Sequence, residues 1–93
     1  MKIYISLRPN GMINNERELM LLRAITEVEA SGHKAVYPQS NSAVQELAER
    51  ISMMLQCDAI YLLPKWYESR VCCSEKQVAE NYDKKILFTI PEK

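Results

Sequence analysis

The order of elements constrains this chain more than any single residue does. Four strand-like runs alternate with three stretches of helical periodicity within 93 residues. The first run, Ile3 to Leu7, is a continuous apolar stretch of the kind expected of a strand buried on both faces. Turn residues Pro9, Asn10 and Gly11 follow it. Asn15 stands as a helix N-cap with Glu18 three residues later, and Leu21, Leu22, Ile25 and Val28 then recur at helical spacing. Gly32 closes that helix. A short run, Lys34 to Tyr37, stops at Pro38. Ser42 and Gln45 form a second capping box, ahead of an amphipathic stripe of Val44, Leu47, Ala48, Ile51 and Leu55. Asp58 to Leu63 reads as the third strand, ended by Pro64. The third helix runs from about Ser69 to Tyr82, and Lys85 to Ile90 is the fourth strand, closed by Pro91.

A βαβαβαβ order calls for a parallel sheet with right-handed crossovers and helices on both faces. The expected fold is therefore a small α/β Rossmann-like (flavodoxin-like) three-layer sandwich, with a four-stranded parallel sheet of order 2-1-3-4. At this length, with 47% apolar residues, positions 1–93 make one domain with a modest core.

The reversal in strand order then falls between the first and third strands, where ligands bind in open α/β sheets. Two loops meet there. Leu7 to Asn14 brings Arg8, Asn10 and Gly11; Pro64 to Arg70 brings Lys65, Trp66, Tyr67, Glu68, Ser69 and Arg70. The third helix adds an anomaly. At about 100° per residue, Val71, Cys72, Glu75, Val78, Ala79 and Tyr82 fall in one arc, so Glu75 faces the sheet among apolar side chains. A carboxylate there is costly unless it is paired or open to a cavity. One resolution is a ligand-facing role at the switch point. The other is a buried carboxylate paired with Tyr4, Arg8 or Arg70.

Charge and cysteine usage exclude other classes. Twelve basic and twelve acidic residues balance, so no global field holds nucleic acid or an anionic membrane. No basic helix or interleaved basic and aromatic pattern points to DNA or RNA. The opening apolar run is too short for a signal peptide, and no stretch approaches the roughly 20 apolar residues of a membrane span. A cytoplasmic protein is expected. Cys57, Cys72 and Cys73 are odd in number, lack paired C-x-x-C spacing and lie far from His33, so they read as reduced thiols rather than a metal site or a disulfide framework. No cofactor is expected. Met53 and Met54, at the end of the second helix, suit core filling or a subunit contact.

The run C-D-A-I-Y-L-L-P-x-W-x-x-S-R, Cys57 to Arg70, with a glutamate six residues after the serine, closely resembles a family of short bacterial and phage domains of unknown function. That family is similar to the nucleoside 2-deoxyribosyltransferases and the deoxynucleoside 5'-monophosphate N-glycosidases. The opening strand I-Y-I-S agrees, and the resemblance spans nearly the whole chain. It implies a glycosyl-enzyme mechanism in which Glu75 attacks the anomeric carbon of a deoxyribose and releases the base, with Tyr4 helping to place it. Ser69 reads first as a helix N-cap, and the resemblance adds contact with a 5'-phosphate, which the same geometry at a helix start suits. Arg8 and Arg70 are placed to add charge-assisted contacts to such a phosphate, with a solvated charge the other reading for Arg70, and Trp66 either stacks on a base or packs on its own domain or another subunit.

Three positions depart from the enzymes. Arg50 stands where they carry an aspartate that assists proton transfer, and a guanidinium does not exchange protons near neutral pH. Glu49 is adjacent but about 100° away around the helix. Leu7 and Val71 replace glycines that permit close approach of a ligand. These changes suit a member that binds a nucleoside or nucleotide without turnover. The alternative is a non-catalytic scaffold or protein-interaction module keeping only the fold. If active, the enzyme would be a deoxyribosyltransferase or deoxynucleotide N-glycosidase. A homo-oligomer, a dimer or larger, is expected from the small sheet with two exposed edges.

Overall fold

The computed structural model describes residues 1–7, 14–37 and 43–90. Among them alternate β1 (Lys2–Ser6), α1 (Asn14–Ala30), β2 (Lys34–Val36), α2 (Ala43–Leu55), β3 (Ala59–Leu62), α3 (Arg70–Asn81) and β4 (Lys85–Leu87), with a 3-10 turn, Trp66–Glu68, leading into α3. The sheet has the expected order β2-β1-β3-β4. All three pairings are parallel, with Tyr4 opposite both Val36 and Ile60.

Side chains alternate across β1 and β3, and this alternation builds two cores. Ile3, Ile5 and Leu7 join Ala59, Tyr61 and Leu63 on the face that packs against Ala24 and Val28 of α1. Tyr4, Ile60 and Leu62 face the other way, against Met54 of α2, Cys57 and Ala79 of α3. Helices thus cover both sheet faces, α1 on one and α2 with α3 on the other. Cys57 and Cys72 are buried and Cys73 is exposed, all as free thiols. Burial pushes the Cys57 and Cys72 thiols up. Among the described residues, no helix is long and apolar enough to cross a membrane.

Local expectations divide. Gly32 ends α1 in the left-handed region at φ 82°. Its N–H donates to the Glu29 carbonyl at 3.0 Å, and His33 N–H donates to the Val28 carbonyl at 3.1 Å, which satisfies the last helical carbonyls. Asn15 is not a cap, because α1 already includes Asn14. The box expected at Ser42, the turn at Pro9 and the breaks at Pro38 and Pro91 lie outside the described residues.

Leu22, expected in the core, is 60% exposed. It lies about 160° around the helix from Ala24, outside the arc that meets the sheet. Ala48 is exposed for the same reason, since the buried arc of α2 runs through Arg50 and Met54. Tyr82 is 63% exposed because it is the C-cap of α3, where the chain leaves helical geometry.

Candidate functional site

The β3–α3 connection fixes where Glu75 points. Lys65 turns the chain in the left-handed region at φ 65°, and the 3-10 turn delivers Ser69 in extended geometry at the N-cap of α3. Ser69 Oγ accepts a bond from Cys72 N–H at 3.3 Å, satisfying one orphan donor of the first turn. Cys72, Glu75 and Ala79 then recur along the buried face of α3. Tyr4 and Ser6, two apart on β1, project to that same side of the sheet.

These elements converge on one buried polar cluster. The Tyr4 hydroxyl donates to Glu75 Oε2, and the Ser6 hydroxyl donates to Oε1 at 2.8 Å. Arg50 on α2 supplies two further donors, Nε to Oε2 and Nη2 to Oε1, both at 3.0 Å. Nε also reaches Tyr4 Oη at 3.1 Å, and Nη2 donates to the Leu7 carbonyl at 2.8 Å. Arg50 Nη1 is buried with no hydrogen-bond partner among the described residues. Tyr4 and Glu75 are fully enclosed, and Ser6 and Arg50 are each 1% exposed.

The electrostatics follow from that enclosure. Burial lowers the affinity of Arg50 for its proton, but the charge of Glu75 and the bonds to Glu75 and Tyr4 outweigh it and hold the guanidinium above its ordinary value. Burial, followed by the Glu75 charge, holds the Tyr4 phenol far above its ordinary range, so it remains a donor. A carboxylate that receives two charge-assisted bonds and two hydroxyls has both oxygens engaged. Attack on an anomeric carbon needs one oxygen turned to an open space, and this arrangement holds both inward.

The expected site residues therefore separate. Glu75 and Tyr4 come together, with Ser69 at the head of the same helix. Ser69 is 7% exposed and works as a cap, whereas Arg70 is exposed. The guanidinium paired with Glu75 belongs to Arg50, not to Arg70. Trp66 is half-buried, edge-on to Tyr67 with centroids 5.9 Å apart, 6.2 Å from Phe88, and under Lys76 Nζ at 5.5 Å. It packs against the Tyr4 and Ile60 core rather than standing open as a stacking platform. Arg8, Asn10 and Gly11 lie outside the described residues. Leu7 is buried, and Val71 is half-buried.

Sequence reasoning missed Arg50 and Ser6 as partners of Glu75. Two signals were available. Arg50 stands four residues before buried Met54 on one arc of α2, and Ser6 alternates with Tyr4 on one strand face. A cavity of about 210 Å³ opens on the opposite side of the sheet, between α1 and β3, bounded by Met20, Arg23, Glu27, Tyr61 and Leu63. Tyr4, Trp66, Ser69, Arg70 and Glu75 do not line it. The Tyr61 hydroxyl donates there to Glu27 at 2.9 Å, and burial with that bond pushes its phenol up to about 12.

A family model described as a domain of unknown function, DUF4406, matches residues 1–88, and the chain belongs to that family. No curated protein and no solved structure matches the chain.

Proposed function

We propose that this DUF4406 domain binds a nucleoside or nucleotide at the carboxyl ends of β1 and β3 and does not use Glu75 to cleave it. The observation that carries this reading is the closure of Glu75 by Arg50, which takes both carboxylate oxygens where the resembled enzymes place a proton-transferring aspartate. Such a pair supports a structural carboxylate and removes the general acid or base. The ligand class rests on the likeness of Cys57 to Arg70 to the nucleoside 2-deoxyribosyltransferases and the deoxynucleotide N-glycosidases. The place of binding is supported by the switch point of the 2-1-3-4 sheet. At that edge, the same guanidinium that bonds the Leu7 carbonyl has no partner for Nη1 among the described residues. Ser69 and the first turn of α3 stand beside the end of β3 and suit a phosphate oxygen.

A second reading, a scaffold or protein-interaction module that keeps only the fold, draws on the complete enclosure of Glu75. Thermal unfolding with a panel of deoxyribonucleosides, their 5'-monophosphates and free bases separates the two, because only a ligand that binds the folded state raises the midpoint. Chromatography of the same mixtures detects freed base. A raised midpoint with one ligand class and no base release is expected. Base release that disappears in Glu75→Gln would overturn the proposal, and a midpoint unmoved by every compound would transfer the assignment to the scaffold reading.

A further inference from the structure

Among the described residues, two apolar patches on different parts of the molecule are exposed. On α1, Leu19 and Leu22 are 64% and 60% exposed. Leu19 lies nine residues from buried Val28, about half a turn around the helix, so it points straight away from the sheet. The described exposed side chains around this pair are Glu16, Glu18 and Glu29 against one arginine, Arg23, while Glu27 turns toward Tyr61 on the sheet side. At the carboxyl ends of β3 and β4, Tyr67 and Phe88 are 64% and 55% exposed, joined through the Trp66 ring. Around this second patch stand Lys65, Arg70 and Lys76, the last lying over Trp66 and paired with Glu80, against Glu68, which leaves Lys65 and Arg70 as its exposed cations.

We propose that the acidic Leu19/Leu22 face of α1 docks on the basic Tyr67/Phe88 face of a second copy of this chain. Apolar patches of this kind mark interaction surfaces when they are large and rimmed by polar groups. Charge selects the pairing. Joining α1 to its own copy sets glutamates against glutamates, and joining the aromatic patch to its own copy sets Lys65 and Arg70 against like charges. The crossed contact brings opposite signs together and covers both patches at once. Because the two surfaces differ, the contact is head-to-tail, and assembly continues into a ring or a chain rather than stopping at a two-fold dimer. The inference does not depend on the ligand reading above.

Sedimentation of the full chain with two variants tests it. Leu19→Glu with Leu22→Glu removes one face, and Tyr67→Ser with Phe88→Ser removes the other. All four positions are more than half exposed, so far-UV circular dichroism should report an intact fold in both variants. Wild type should sediment at twice the 10.8 kDa chain mass or more at high micromolar concentration, and less so in high salt. Each variant alone should be monomeric, and an equimolar mixture should form a one-to-one dimer, since each chain keeps the face the other lacks. The emission of the single tryptophan, Trp66, should change on mixing. A monomeric wild type overturns the proposal, as does either variant that still self-associates. A mixture that stays monomeric while wild type assembles overturns it too.

Discussion

Arg50 and Glu75 meet as a two-bonded pair, Nε to Oε2 and Nη2 to Oε1, each at 3.0 Å, with both side chains removed from water. The pair ties α2 to α3 beneath the carboxyl end of β1, and Tyr4 and Ser6 of β1 complete the carboxylate's shell. Taking two charges out of water offsets much of their attraction, so such a pair fixes an arrangement more than it adds net stability. Removing one member alone is a different matter, because the other is left charged and buried.

Tyr4→Phe should cost about 1.5–3 kcal/mol, the range for a hydrogen bond to a charged group. The ring still fills its place in the core, so the loss reports the hydroxyl. Urea unfolding of the variant checks this. A loss of only a few tenths would mean that Arg50 and Ser6 satisfy Glu75 without the phenol.

Alkaline pH should destabilise the fold through buried phenols. Tyr61 titrates at about 12 in the folded chain, against an ordinary value of 10.0, and Tyr4 lies higher still. The folded chain therefore holds protons that the unfolded chain releases, and the stability they contribute is complete below pH 10 and lost as pH rises through the folded values. Between pH 10 and 12, stability should fall by roughly 1.4 kcal/mol per pH unit for each such tyrosine. Tyr61→Phe should flatten that slope by one proton in urea melts across this range. An unchanged slope would place the Tyr61 phenol in water-like surroundings.

Ser69→Ala should destabilise by about 1 kcal/mol through loss of the N-cap of α3. Glycine at the same position should cost less than alanine does. If both variants unfold at the wild-type midpoint, the bond from Cys72 N–H to Ser69 Oγ contributes nothing measurable.

The fold was legible because its signals are local and repeated. Strand and helix periods alternate cleanly from Ile3 to Leu87, and the short length leaves few ways to order four parallel strands. Ser69 as a cap and Gly32 as a helix end were legible for the same reason. Glu75 was legible as an anomaly, since the arc holding Cys72 and Ala79 forces it inward. Its partner was not, because Arg50 is 25 residues away on another helix, and the side chain that neutralises a buried charge is chosen by packing between helices. Arg50 was noticed only as the residue replacing an aspartate. Leu22, Ala48 and Tyr82 were misplaced because apolar residues recur on α1, α2 and α3 over a wider arc than the sheet covers.

The most direct test of the account is a double-mutant cycle in urea with Arg50→Met, Glu75→Leu and the two together. Each single variant should lose about 3–5 kcal/mol, because it strands a buried charge, and the double variant should recover most of that loss. Additive losses would show that Arg50 and Glu75 do not act as a pair. A fully stable Glu75→Leu would contradict the account outright, since it would mark Glu75 as a carboxylate kept for chemistry rather than for Arg50.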